Sequence, residues 1–109
     1  MNYCNRTWAE IDLGAAERNF REIKKRAGKR GIFAVVKANA YGHGALPLAR
    51  LYESLGAEGF AVSNIGEALE LREGGINGEI LVLGYTPYEH TAELIEHDIS
   101  QTVYSYEYA

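Results

Sequence analysis

Apolar residues in this chain fall into two alternating patterns. Ile32–Val36 (IFAVV), Gly59–Ser63 (GFAVS) and Glu79–Leu83 (EILVL) are short runs without the polar alternation of a half-exposed strand. They predict strands covered on both faces, as in a parallel sheet. Between them apolar positions recur every three or four residues. Leu13, Ala16, Phe20, Ile23 and Ala27 share one helix face, with Asp12 as N-cap and Gly28 as stop. Leu48, Leu51, Tyr52 and Leu55 mark a second helix, with Pro47 in its first turn and Gly56 at its end. Asn64 and Glu67 have capping-box spacing and open a third, through Ala68, Leu69, Leu71 and Arg72 to Gly74-Gly75. Asn77-Gly78 then reads as a helix-to-strand turn, since a helix precedes it. Thr86-Pro87 is placed to cap a fourth helix through Ala92, Leu94 and Ile95.

The ends are less regular. Met1–Arg6 shows no period and is expected to be poorly ordered, and Thr7–Ile11 alternates enough for a short strand. Gln101–Tyr104 starts another strand. Beyond it, Ser105 caps a helix or Tyr104, Tyr106 and Tyr108 occupy alternating strand positions. Strands are thus expected to begin near residues 32, 59, 79 and 100, the rhythm of βα units with right-handed crossovers. Four such strands make half of an eight-stranded barrel. The expected fold is α/β, the N-terminal part of a (β/α)8 TIM-type barrel truncated about half way. Such a half barrel leaves two sheet edges and one sheet face uncovered, so residues 1–109 are expected to be a fragment. A small self-contained domain with an open sheet is the alternative.

Composition narrows the partners. The 109 residues are 47% hydrophobic and 24% charged, which suits a globular chain. A formal net charge of −4 and the lack of a basic stripe argue against nucleic acid or an anionic membrane as partner. Lys24, Lys25, Arg26, Lys29 and Arg30 cluster where the first helix ends and suit its C-terminal dipole. Cys4 is the single cysteine, a free thiol that permits no internal disulfide. No signal-peptide core or membrane span is present, and a cytoplasmic location is expected.

Candidate chemistry centres on Lys37, which ends the first apolar run. A lysine at the mouth of a buried strand has an apolar stem and an amine near the loops where ligands collect, and desolvation there makes it a usable nucleophile. The loop that follows, Ala38 to Gly44, carries little bulk beyond Asn39, Tyr41 and His43. Its Gly42 and Gly44 begin a dinucleotide-type glycine pattern, but Pro47 takes the third position, so that reading is weak. His90, Glu93 and His97 have metal-ligand spacing on the fourth helix, yet no further ligand is apparent and a wet helix face explains them better.

The contiguous VVKANAYGHG at Val35–Gly44 resembles the pyridoxal-phosphate lysine motif of bacterial alanine racemases. TWAEIDL at Thr7–Leu13 and EALELREGGINGEILVLG at Glu67–Gly84 resemble the same family, and the likeness runs from about Arg6 to Tyr104. The resemblance implies that Lys37 links covalently to pyridoxal 5′-phosphate and serves as one of two bases that move the α-proton of alanine. It implies that Tyr41 touches the cofactor phosphate through its hydroxyl and that Leu83 lies near the cofactor ring. Asn39 and His43 are expected to shape the loop by hydrogen bonds. It further implies a homodimeric parent that supplies D-alanine for peptidoglycan. The second base, a tyrosine, would come from the partner's C-terminal β-domain, which lies beyond these residues with most of the phosphate site. The isolated chain is accordingly expected to be inactive. A racemase acting on serine or a broader range of amino acids, and a short non-enzymatic cofactor-binding module, are the alternatives.

Overall fold

A computed structural model describes residues 6–109. The expectations for Cys4 and for disorder at the N-terminus fall on residues 1–5 and lie outside them. The elements are α1 (Leu13–Ala27), β1 (Phe33–Val35), α2 (Lys37–Tyr41), α3 (Ala45–Ser54), β2 (Gly59–Val62), α4 (Ile65–Glu73), β3 (Glu79–Val82), a 3-10 turn (Tyr88–His90), α5 (Thr91–Glu96) and β4 (Ser100–Gln101). All strand pairs are parallel and the spatial order is β1-β2-β3-β4. Consecutive parallel strands joined through helices are the start of a TIM-type barrel.

The helix boundaries follow their end signals. Asp12 accepts from Ala15 N at 3.1 Å and opens α1, and Gly28, at φ 65°, returns its N–H to Lys24 O and ends it. Glu17–Arg21 and Glu22–Arg26 pair at 3.7 and 3.1 Å on the wet side of α1, where each is worth a few tenths of a kcal/mol. The ring of Phe20 stacks on Tyr52 with centroids 5.1 Å apart and joins α1 to α3. The α4 capping signal is met in part: Asn64 Oδ1 accepts from Glu67 N at 2.9 Å, while the Glu67 carboxylate reaches elsewhere.

One sheet face carries the core. Val36, Phe60, Val62, Ile80 and Val82 are buried with Leu48, Ala49, Ala68 and Leu71 of the helices. The other face differs from the expectation of strands covered on both sides. Phe33, Val35 and Leu83 are 40, 45 and 40% exposed, because the helices lie on one face and nothing among the described residues packs on the other. Among the strands only β2 is buried throughout; β3, also interior to the sheet, has Glu79 exposed and Leu81 partly so. Gly59 in that strand admits a close approach: a β-carbon there would sit 2.6 Å from the Phe33 ring and 2.8 Å from Glu79 O.

Other expectations are corrected. Thr7–Ile11 is not a strand: alternation alone does not make one, and the segment joins neither open edge of the sheet, β1 or β4. Thr86 does not cap a helix. Its backbone and hydroxyl are engaged by Tyr108 and Gln101, and the chain passes through the 3-10 turn before α5 begins. The last strand is Ser100–Gln101 only, and Ser105 Oγ then accepts from Tyr108 N at 3.1 Å in a turn, which settles the choice at Tyr104–Tyr108 against an extended strand.

The end of the sheet where strands enter is tied together by Arg72. Its guanidinium donates to His97 O and Ile76 O at 2.8 Å each, Gly78 O at 2.7 Å and Asp98 O at 2.8 Å. Those carbonyls belong to the connections that lead into β3 and β4. From α3, Glu53 Oε2 accepts from Asn77 N at 2.9 Å and Gly78 N at 2.7 Å, which confirms Asn77-Gly78 as a helix-to-strand turn. Replacing Arg72 by leucine strands these carbonyls. Urea unfolding of the intact gene product should show a loss of about 3 kcal/mol. A loss below roughly 0.5 kcal/mol would make Arg72 an ordinary surface cation.

Candidate active site

Lys37 lies one residue beyond β1, after Val36, and begins a segment of unusual hand. Ala38, Asn39, Ala40 and Tyr41 have φ of 51, 54, 55 and 56°. The expected small-residue loop is therefore one turn of left-handed helix, closed by Gly42 at φ 89°. Each non-glycine residue held there costs about 1–2 kcal/mol. Strain of this kind persists where the surroundings over-determine it. Ala40 N donates to Val36 O at 3.0 Å and Gly44 N to Asn39 O at 2.9 Å. Asn39 Oδ1 accepts from Ala45 N at 2.9 Å, and His43 Nδ1 lies 2.9 Å from Ala40 O. The loop-shaping roles expected of Asn39 and His43 are those the structure gives them.

Because the left-handed region is free of steric cost only for glycine, Ala38→Gly tests the strain. Ala38 is exposed, so no packing is lost. Relief of the strain, set against the added freedom of the unfolded chain, should leave a net gain of about 0.5–1 kcal/mol in thermal unfolding. A net loss would mean that the turn is not strained at Ala38.

Glu67 reaches this turn from α4. Its Oε2 accepts from Ala38 N at 2.8 Å, and its Oε1 accepts from Ser63 N at 2.7 Å and from the Ser63 hydroxyl in a very short contact. Desolvation pushes the carboxyl pKa up, but the bonds from the Ser63 hydroxyl and from the Ser63, Ala38 and Asn64 amides together hold it below the ordinary 4.5. The unfolded chain therefore takes up the proton first as pH falls. The stability this carboxylate contributes is complete above about pH 4.5 and is lost as pH drops through the folded value. A carbon-13 titration of Glu67 should find its midpoint below 4.5, moving upward in Ser63→Ala. A midpoint at or above 4.5 refutes the network.

The three residues proposed from the sequence share one end of the molecule, though not one contact. Lys37 and Tyr41 begin and end α2, at the carboxyl end of β1. Leu83 follows β3, its N–H on Val62 O at 2.8 Å, with β2 between the two strands. Lys37 is half-buried, and among the described residues no carboxylate pairs with its amine. Tyr41 is 61% exposed and borders a cleft of about 450 Å³ with Val35, Asp12 and Tyr52. A second cleft, of about 330 Å³, is bounded by Val36, Asn39, Val62 and Glu67. Lys37 lines neither. Further along the same end, Tyr85, Tyr88 and Tyr104 gather around Tyr108 with ring centroids 5.1 to 5.7 Å from it.

His90 forms a surface pair with Glu93, in which His97 takes no part. His90 Nδ1 lies 2.8 Å from Glu93 Oε1, and that hydrogen bond raises the imidazole pKa against desolvation, aided by the charges of Glu93 and Glu89. Among the described residues no three His, Cys, Asp or Glu side chains are grouped to hold a metal ion.

Comparison with known proteins decides the family. Residues 11–109 match the alanine racemase N-terminal domain. The chain belongs to this family. It is 51% identical over 110 aligned residues to the alanine racemase of Clostridium perfringens, covering all of this chain and 28% of that one. A 48% identity to the alanine racemase of Methanococcus maripaludis covers 94% of this chain and 28% of that protein. Among solved structures, the alanine racemase of Bacillus anthracis with bound L-Ala-P superposes with a TM-score of 0.91 at 40% identity, over 99% of this chain and 28% of that one. That of Clostridium difficile 630 gives 0.88 at 44%, over 92% and 26%. The chain thus spans about 28% of the length of the relatives it matches. Family membership establishes the α/β fold with its parallel sheet as the start of a TIM-type barrel. No helix among the described residues is long and apolar enough to cross a membrane.

Proposed function

We propose that these residues are the lysine-bearing part of a pyridoxal-phosphate-dependent alanine racemase, an isomerase that interconverts L- and D-alanine. The observation that carries this reading is Lys37 at the carboxyl end of β1, heading a strained turn in a chain of this family. In parallel βα architectures that end is where catalytic groups gather. The residues present suit the cofactor. Lys37 offers an amine without a carboxylate partner among the described residues, Tyr41 an exposed phenol able to donate to a phosphate oxygen, and Ala38 and Gly42 leave room for close approach.

When bound, pyridoxal phosphate supplies the electron sink that stabilises negative charge at the substrate Cα. Lys37 Nζ would accept the α-proton, becoming an ammonium, and in the reverse direction that ammonium would give the proton back to the substrate Cα. Tyr41 anchors the phosphate by a hydrogen bond without adding a full charge. Leu83, half-exposed at the mouth of β3, offers an apolar contact to the ring. The second base and the remaining phosphate contacts belong to parts of the homodimeric parent outside residues 1–109, and we expect these residues alone to be inactive. The parent is placed in the cytoplasm as a source of D-alanine for peptidoglycan.

The test is borohydride reduction of the intact gene product with pyridoxal phosphate, followed by peptide mapping and by racemisation assays on alanine and serine. Label is expected on Lys37, with alanine preferred, and Lys37→Ala should lower racemisation by at least about a thousandfold. Label on another lysine, or a marked preference for serine, overturns the assignment.

A further inference from the structure

We propose that Glu67 is a positioning residue for Lys37, fixing the direction in which the lysine leaves β1 by holding the backbone of the residue after it. The proposal rests on the reading of Lys37 as the reactive amine. Lys37 lies between two anchored peptide groups. Before it, the carbonyl of the Val36–Lys37 peptide group accepts from Ala40 N at 3.0 Å, while Val36 N donates to Ala61 O of β2 at 3.0 Å. After it, Ala38 N donates to Glu67 Oε2 at 2.8 Å. Ala38 is also where the backbone changes hand, to φ 51°. The carboxylate bond at the switch point fixes the plane after Lys37, and with the plane before it held by Ala40 N, the Cα–Cβ direction of the lysine is set.

The carboxylate is itself aimed. Ser63 holds its other oxygen through both N–H and hydroxyl, and Ser63 directly follows β2. Glu67 therefore references the lysine turn to the neighbouring strand instead of only capping its own helix. Its outward partner, Ala38, is exposed, so water can replace the carboxylate there. Losing the clamp should thus loosen the lysine more than it unfolds the chain. A catalytic amine is sensitive to such loosening, since small misplacements cost large factors in rate.

Glutamine at this position keeps the shape of the side chain but has one accepting oxygen, which the two donors of Ser63 hold, leaving its NH2 against Ala38 N, so Glu67→Gln breaks the tie to Ala38. Ser63→Ala leaves the bond to Ala38 in place and serves as the comparison. Two readouts are taken on the intact gene product. In the cofactor-stripped protein, amide exchange at Ala38 should accelerate about tenfold in Glu67→Gln while amides in β2 and β3 keep their protection. On adding pyridoxal phosphate, the visible absorption of the lysine-linked cofactor should appear about ten- to a hundredfold more slowly in Glu67→Gln, and less so in Ser63→Ala. Unchanged Ala38 exchange overturns the clamp. Faster exchange with an unchanged rate of attachment overturns the positioning role and leaves Glu67 a structural residue. If borohydride never labels Lys37 in the unaltered protein, the reading of Lys37 fails and the positioning role with it, whereas Ala38 exchange still reports separately on the clamp.

Discussion

Backbone groups at the two ends of a parallel sheet have no ladder partners, and most of the order in this chain follows from how one helix satisfies them. From one end of α4, Glu67 accepts from amides just beyond β1 and β2. Toward the other end, Arg72 donates to carbonyls on the connections into β3 and β4. Both sets of bonds are charge-assisted, the stronger kind, and both replace water at groups that would otherwise leave the connections loose. The apolar face of the same helix meanwhile buries Ala68 and Leu71 against the sheet. Helix α4 is thus both core and clasp, and the spacing of Glu67 and Arg72 sets which strand ends it can reach.

This division explains what was legible in the sequence. The strands near 32, 59, 79 and 100 and the α1 boundaries were readable because each rests on local periodicity and on residues that act within a turn, such as Asp12 and Gly28. Lys37 and Tyr41 were readable through a contiguous motif. Glu67 was visible only as part of a capping signal, because its decisive partner, Ala38, is 29 positions away. Arg72 looked like one more helix residue for the same reason, its carbonyl partners in α5–β4 lying 25 and 26 positions on. Thr86 misled because a threonine before proline is a strong local helix signal, while Gln101 and Tyr108 claim its polar groups from afar. Left-handed Ala38–Tyr41 carried little signal: Asn39 tolerates positive φ, but two alanines and a tyrosine are poor candidates for it, and tertiary contacts hold them there.

The strain in that turn has a structural logic beside its cost. A right-handed turn after Lys37 would carry the chain along a different path from the strand end, whereas the left-handed one returns it promptly to α3. It does so with Ala40 buried against the core and Asn39 bonded to Ala45 N at the start of α3. The energy spent is confined to a few residues and offset by bonds from three sides, namely α3, α4 and β1 itself. A segment stabilised this way has one conformation to occupy, not several, which is what a group with a defined direction of approach requires.

The uncovered sheet face bears on the same site. Phe33, Val35 and Leu83 are exposed on the side away from the helices, the side that faces inward when eight such strands close. The register places Val35 beside Ala61 and Ala61 beside Leu81, a row running across the sheet just below the level of Lys37. In a closed barrel, side chains from alternate strands fill that interior in layers, so the layer beneath the lysine is completed only by residues from strands not among these four. Burial of Phe33 and Val35 and the desolvation of the lysine stem are then one event. The reactivity expected of Lys37 depends on an apolar floor that this part of the chain supplies only in half, which ties the chemistry of the amine to the completion of the core beneath it.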